Sequence, residues 1–530
     1  MNKKILAGIF LSISGLAYSQ DDAVKYANTI TAEDLKKHLT IIASDSLEGR
    51  DTGSPGQKKA AEYVTKYFKE YGLTPIATAE DGSKSYFQKY KLYKRGWGEV
   101  YLKVDGQKYE FNKDFYISGL ADLPQEITSP VIFAGYGIES PGYDDYAHRD
   151  VTGKAVVIFE GEPRSADGNY IVNGTTEKSK WGSNVAWQQK VKLAREKGAK
   201  YVLIVTEKTG EDFDKEIRQR AVMARRFSAP TLNPVEESSD NMAAFVISSD
   251  VAAKILKTTN RKLAAEKAEI AKTGKPVSKT LTGSVAFKAE RVSSTIDTEN
   301  VAAFLEGSDK KDEVLVISAH LDHIGISANG EINNGADDDG SGTVSLLELA
   351  QAFSKAKAEG KGPRRSILFL NVTGEEKGLF GSEYYSEHPL LPLKSTIADL
   401  NIDMIGRVDE AHKADPKYVY LIGSDKLSSQ LHAISEEANK KYINYQLDYT
   451  FNDPKDPNRF YYRSDHYNFA KSGIPVIFYF TGVHEDYHKP GDDVEKIMFD
   501  KQAPIVKLVF YTAWELVNRD GRIVVDSHKE

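Results

Sequence analysis

From about residue 294 onward, short apolar runs alternate with helical stretches, and polar clusters follow the apolar runs. Val314 to Ile317 is an uninterrupted apolar run, the pattern of a strand buried on both faces. Ile367 to Val372, Ile397 to Ile402 and Ile474 to Phe480 repeat it. Between them, Gly342 to Lys357 has helical spacing with Val344, Leu347, Leu349 and Ala350 on one side. This rhythm predicts an α/β fold, a mainly parallel mixed sheet flanked by helices. Ligands of such sheets sit at the carboxyl ends of the strands, so the residues just after each run carry the functional expectation.

Those residues are unusual as a set. The first run leads into Ser318-Ala319-His320-Leu321-Asp322-His323, and a glycine-rich loop follows with Gly335-Ala336-Asp337-Asp338-Asp339-Gly340-Ser341-Gly342. The next two runs end in Thr373-Gly374-Glu375-Glu376 and Asn401-Ile402-Asp403-Met404. Past the last run lies His484-Glu485-Asp486-Tyr487-His488-Lys489-Pro490-Gly491-Asp492. A single strand-end carboxylate is usually a cap or a solvated loop residue, but several on one rim converge. The chain has no cysteine, so a metal must be held by His, Asp and Glu. Two histidines and three carboxylates suit a pair of zinc-like dications, which needs a carboxylate shared between the ions. On chemistry alone Asp337, Asp338 and Asp339 all qualify for that shared place.

At these residues the chain resembles the M28 family of metallopeptidases. The likeness rests on HxD at His320 and Asp322, GADDxxSG at 335–342, GEE at 374–376, the aspartate at 403 and YHxPxD at 487–492. It extends to SDSLEGRDTGSPG at 44–56 and RSDHYNFAKSGIP at 463–475. The resemblance implies a zinc-peptidase (phosphorylase/hydrolase-like) fold and two zinc ions per chain. It implies Asp338 as the bridge, His320 and Asp403 completing one site, and Glu376 and His488 the other. Glu375 would be the general base, Asp322 the carboxylate orienting the His320 imidazole, and Tyr487 a donor to the oxyanion or a packing tyrosine. His323 and His484 read as loop histidines with solvated rings, and Asp492 as a brace for the loop carrying His488. Asp465 and His466 could shape a pocket or be structural, and Tyr461 and Tyr462 read as packing.

The rest of the chain supplies the frame. Lys3 and Lys4, the apolar Ile5 to Leu16 and the small residues of Ala17-Tyr18-Ser19 predict a cleavable signal peptide over 1–19. No cysteine follows for lipid attachment, so the expectation is a secreted or periplasmic protein without a membrane span. Thr31 begins one amphipathic helix and a second ends at Gly72. Residues 20–120 are read as the N-terminal part of the catalytic domain and 281–530 as its main body. The segment 121–280 resembles an inserted α+β protease-associated domain, on GYGI, DVTGKAVVI and KLAREKGAKYVLIV.

A net charge of -7 gives no basic footprint for nucleic acid. The resemblance therefore implies an exported aminopeptidase acting on peptides. A carboxypeptidase or dipeptidase, with Arg407, Arg459 or Arg463 holding a substrate carboxylate, is the alternative within the fold, beside a one-zinc glutaminyl-cyclase-like transferase. A non-catalytic receptor-like module is the alternative outside enzymology, and the intact ligand set argues against it. A different metal enzyme, such as a phosphoesterase, does not suit the motif set.

Overall fold

A computed structural model describes residues 20–183, 185–227, 229–234, 243–277 and 280–527. The expected signal peptide at 1–19 lies outside the described residues. The chain divides into two compact units, Met1–Leu92 with Ile296–Glu530, and Tyr93–Thr295. The second unit is wider than the 121–280 segment that resembles a protease-associated domain. Its extra length comes from strand pairing, since residues 282–289 run antiparallel to the Leu123–Phe133 strand. Composition cannot register a partner so far away in the chain.

In the first unit the strand order is Gln446–Asp448, Tyr418–Ile422, Val476–Phe480, Thr396–Ile402, Lys310–His320, Arg365–Val372, then the C-terminal half of Thr282–Leu305. The four strands from Val476–Phe480 to Arg365–Val372 are mutually parallel, while Tyr418–Ile422 and Thr282–Leu305 join them antiparallel. This is the mainly parallel mixed sheet that the alternation predicts. Helix Ala32–Ile42 starts at Thr31, whose hydroxyl accepts the Asp34 N–H, and helix Pro55–Glu70 starts at Ser54 in the same way. Leu35, Leu39, Val64 and Phe68 from these helices join Leu347 of helix Gly342–Ala358 and Val506 of helix Phe499–Asn518 in one core. Leu368, Leu370, Tyr385 and Phe469 build a second core cluster.

In the second unit Leu123–Phe133, Ala155–Phe159, Tyr201–Val205 and Ala243–Ile247 pair in parallel, with Phe115–Gly119 antiparallel at the edge. Helices Ala186–Glu196 and Asn260–Thr273 cover a core that includes Phe133, Ile158, Leu203, Phe245 and Phe287. Among the described residues, no helix is long and apolar enough to cross a membrane.

Candidate metal centre

The parallel strands stop nearly level, which is why their following residues meet. His320 closes its strand opposite Val372, and Ser318 lies opposite Asn401 in the neighbouring register. Glu375 and Glu376 come just beyond the first neighbour and Asp403 just beyond the second. The Asp337–Asp339 turn enters from the start of helix Gly342–Ala358, and His488 from the loop after Val476–Phe480.

The three consecutive aspartates are sorted by their hydrogen bonds. Asp337 Oδ1 accepts the Gly406 N–H, and its other oxygen lies 3.4 Å from His484 Nε2. Asp339 accepts the backbone N–H groups of His320, Gly342 and Met404. A Cβ on Gly342 would come within 2.4 Å of the Asp339 carboxylate, so only glycine leaves room for that contact. Asp338 faces the rim, its Oδ1 3.3 Å from His320 Nε2 and its Oδ2 3.1 Å from His488 Nε2.

Around it, His320 Nε2 is 3.6 Å from Asp403 Oδ1, and His488 Nε2 is 3.1 Å from Glu376 Oε2. His323 also enters, with Nδ1 2.8 Å from Glu376 Oε1 and 3.7 Å from Asp338 Oδ2. Two triads each offer ligand atoms within 4.8 Å of one another, His320 with Asp338 and Asp403, and His323 with Asp338 and Glu376. Asp338 belongs to both.

The electrostatics fit a cation. Asp338 Oδ2, Glu376 Oε1 and both ring nitrogens of His323 are buried without a properly directed hydrogen bond. Burial disfavours the charged imidazole of His320, yet Asp403, Asp338 and Asp339 hold it well above the ordinary histidine range. Burial opposes the His488 cation too, but its close contacts with Asp338 and Glu376 bring it up to about 10. Burial pushes the Glu375 carboxyl well up against the pull of His320, with Glu376 and Asp403 adding to the rise. The cluster concentrates negative charge beside imidazoles that it holds protonated. A divalent cation balances that charge and takes up the unpaired acceptors.

Braces surround the cluster. The His320 Nδ1 contact is with the main-chain carbonyl of Asp322, at 2.9 Å, whereas the Asp322 carboxylate stands 3.9 Å away. That carboxylate instead accepts from Thr52 Oγ1 at 2.6 Å and from the Glu375 N–H at 3.3 Å. The orienting group for His320 is thus the peptide carbonyl rather than the carboxylate, because Thr52 holds the side chain. Asp403 Oδ2 accepts from Ser464 Oγ, and Asp492 accepts the N–H groups of Asp337 and Asp338. Asp492 therefore fixes the aspartate turn.

His323 and His484, expected to be solvated, are buried. The His323 turn is clamped by the segment before helix Pro55–Glu70, with His323 N–H donating to Arg50 O and Gly325 N–H to Gly49 O. Gly49 has φ +65°, and a Cβ there would lie 2.3 Å from Asn333 O, so the clamp requires glycine.

Arg50 itself is buried and donates to the carbonyls of Ile42, Leu321, Asn334 and Gly335. Its segment, 44–56, is part of the family resemblance, but nothing in that segment gives Arg50 a role. A charged residue between two glycine-rich turns was the available signal.

Beside the cluster opens a small pocket whose apolar wall is Met404, Phe460, Phe478, Phe480 and Val483, with Glu375, Arg463 and Tyr487 at its polar side. Tyr487 stacks on His488, ring centroids 3.9 Å apart, and its hydroxyl accepts from Arg463 at 3.4 Å. Burial, reinforced by Asp338 and Glu376, raises the Tyr487 hydroxyl and keeps it protonated. Tyr461 and Tyr462 pack edge to face on each other. Asp465 is held by Ser382 and His466 stacks on Phe478. Arg407 pairs with Asp486 at 3.0 Å and Arg459 lies over Tyr462, which leaves Arg463 as the arginine of the three that lines the pocket.

A mixed, mainly parallel sheet with histidines and carboxylates converging at its strand ends defines the class: an α/β protein built around a candidate metal centre. Residues 300–513 match the model of peptidase family M28. A probable zinc metalloprotease of Pyricularia oryzae is 27% identical over 279 residues, covering 46% of this chain and 55% of its own length. Aminopeptidase Y of Saccharomyces cerevisiae is 29% identical over 229 residues, covering 41% of this chain and 38% of its own. The chain thus spans about half the length, or less, of these curated relatives. The solved aminopeptidase from Aneurinibacillus sp. strain AM-1 aligns over 95% of this chain and 98% of its own, at 21% identity and a TM-score of 0.47.

Proposed function

We propose that this chain is an exported zinc aminopeptidase that uses two zinc ions to release N-terminal residues from peptides. The observation that carries the reading is Asp338, whose two carboxylate oxygens face His320 on one side and His488 on the other. His320 and Asp403 would hold one ion, Glu376 and His488 the second, with Asp338 between them. His323, at 2.8 Å from Glu376, is a further candidate for the second ion. When bound, such a pair polarises the scissile carbonyl and makes water nucleophilic at neutral pH.

The chain's own groups do the rest. Glu375 stands next to the ligand Glu376, and its burial makes it a stronger base than a solvated carboxylate. It takes the proton of the attacking water and returns it to the departing amine. Tyr487, kept protonated, donates its hydroxyl hydrogen to the carbonyl oxygen as negative charge develops there. The wall of Met404, Phe460, Phe478 and Phe480 receives an apolar side chain at the substrate's N-terminus. Residues 93–295 take the part of a protease-associated unit.

Arg463 carries a second reading, since a guanidinium lining the pocket suits a carboxypeptidase or dipeptidase that binds a substrate carboxylate. One experiment separates the two: zinc content by elemental analysis together with hydrolysis of aminoacyl-nitroanilides, their N-acetylated counterparts and N-acetylated acidic dipeptides. About two zincs per chain, with cleavage of free-amine substrates alone, is the expected outcome. Two zincs with cleavage of the blocked acidic substrates instead would transfer the assignment to the carboxypeptidase.

A further inference from the structure

The second unit has its own strand-end cavity, and none of the residues of the metal centre contributes to it. Its volume is about 390 Å³, within the range that encloses small-molecule ligands. Glu160 and Gly161 directly follow strand Ala155–Phe159, Glu207 comes just after strand Tyr201–Val205, and all three line the cavity. That is the carboxyl edge of the parallel strands, the place where open α/β sheets bind ligands. Trp181 and Trp187 contribute from the opposite loop and helix, and Glu216 and Arg220 from helix Glu211–Phe227.

Two buried groups in this lining have an atom without a properly directed hydrogen bond. Trp181 is 4% exposed and its Nε1–H donates to nothing, while Glu216 is 8% exposed and its Oε2 has no properly directed hydrogen bond, with the Tyr116 hydroxyl of the same lining as a neighbour of the carboxylate. The other Glu216 oxygen is occupied, 3.3 Å from Lys208 Nζ and 3.5 Å from Arg220 Nη2. Burying a polar atom without a partner is costly, so one donor and one acceptor left open on the same cavity mark complementary positions for a ligand. Glu216 Oε2 offers an anionic acceptor that suits an ammonium. Trp181 Nε1–H and the ammonium of Lys178, also in the lining, suit a carboxylate. The indole of Trp187 adds an apolar surface.

Two further polar groups of the lining, Lys190 and Glu160, are satisfied and act as scaffold. Lys190 Nζ donates to the carbonyls of Phe159 and Gly161, and Glu160 accepts from the Thr206 hydroxyl and the Glu207 N–H. A second cavity of about 580 Å³ shares Gly161, Lys178, Gly182 and Glu207 with the first, so the space extends beyond one residue's length.

From this lining we infer that the second unit binds a small zwitterion, a free α-amino acid or a dipeptide, with its ammonium on Glu216 and its carboxylate at Trp181 and Lys178. The inference stands on the cavity alone and is independent of the activity proposed for the first unit.

The test titrates the full-length chain, with chelator present to silence the metal centre, with L-leucine and with leucyl-glycine. Two of the four tryptophans line the cavity, so intrinsic fluorescence reports binding directly and calorimetry checks it. Saturable binding tighter than about 1 mM is expected, weakened at least tenfold by Glu216→Gln and by Trp181→Phe. N-acetyl-leucine and leucinamide, each lacking one charge, should bind at least tenfold more weakly than leucine. Circular dichroism and the metal-loaded aminopeptidase assay confirm that each variant is folded, since neither residue belongs to the metal centre. Leucine preferred over the dipeptide assigns the amino-acid form of the ligand, and the reverse preference the peptide form. No saturation by either ligand, or affinities unchanged in both variants, overturns the inference.

Discussion

The guanidinium of Arg50 donates from Nη2 to the carbonyl oxygen of Gly335 at 2.9 Å, across 285 positions of sequence. Its other nitrogens reach the carbonyls of Leu321, Ile42 and Asn334, so one buried side chain ties the turn after His320 to the turn before Asp338. Burial lowers the guanidinium from its usual value, and Asp338, Asp339 and Asp492 counter that effect. Arg50 therefore sets the spacing between a histidine and the carboxylate it faces without touching either.

Replacing it should loosen the site before it empties the core. In Arg50→Met, four carbonyls lose their donor, and a loss of about 3–5 kcal/mol is the scale for breaking such a buried charged network. Arg50→Lys keeps the charge but not the planar fork, and should retain the fold while losing about 10–100-fold in zinc affinity. Zinc affinity by competition with a chromophoric chelator, with unfolding midpoints alongside, reads both effects. Wild-type zinc affinity in Arg50→Lys would show that the fork does not position the centre.

The bridging assignment predicts a stoichiometric asymmetry. Asp338→Asn should remove both zinc equivalents, because one residue faces both histidines. Asp403→Asn should cost one equivalent first, since Asp403 lies near His320 and not among the contacts of His488. Elemental analysis of the two purified variants decides it, and equal zinc loss from both would remove Asp338 from the shared position.

Glu375 should separate catalysis from metal binding. Its neighbour Glu376 contacts His488 and His323, whereas Glu375 has no such contact and lines the pocket. Glu375→Ala is expected to lower kcat by about 10²–10⁴-fold with zinc content unchanged. Turnover near the wild-type rate in the variant would falsify the base assignment.

Much of the first unit was legible because strand period and strand-end chemistry are both local. The runs at 314–317, 367–372 and 397–402 lie inside observed strands, and His320, Asp338, Glu376, Asp403 and His488 share one rim. What escaped depends on distant pairing. Arg50 and Thr52 act on residues some 270 to 285 positions away, and nothing in their own segment names those partners. His323 looked solvated because its loop is polar, yet main-chain bonds to Gly49 and Arg50 close over it.

The pocket wall should set side-chain preference. Phe460 closes part of the apolar side, packing against Phe480 with centroids 5.0 Å apart. Phe460→Ala widens that side and should shift kcat/KM toward larger N-terminal residues by about tenfold, the scale of one or two methylenes in an apolar site. A panel of alanyl, leucyl and phenylalanyl nitroanilides measures the shift. An unchanged ranking would place the substrate's first side chain elsewhere.

Glu348 gives the first unit a pH signature independent of the metal centre. It sits within helix Gly342–Ala358, fully buried, with neither carboxylate oxygen in a properly directed hydrogen bond. His38 Nε2 from helix Ala32–Ile42 is 3.7 Å away, and the other His38 nitrogen is 3.0 Å from the Tyr63 hydroxyl. Burial pushes the Glu348 carboxyl up to about 8, with Asp34 adding to the rise and the Thr31 N–H and Lys37 opposing it. Burial also lowers His38 to about 4, so the two face each other uncharged at neutral pH. Between its ordinary value of 4.5 and about 8, Glu348 holds a proton in the folded state that the unfolded chain has released. Its contribution to stability is therefore complete below 4.5 and is lost as pH rises through about 8. Glu348→Gln cannot ionise, so its stability relative to wild type should climb through that window and level off above it. The climb should be on the order of 2–4 kcal/mol, several degrees in midpoint. Titrating groups distant from Glu348 are common to both proteins and cancel in the difference. Thermal unfolding of the pair at a series of pH values measures the curve, and a difference that does not change with pH would mean that Glu348 is already ionised within the core.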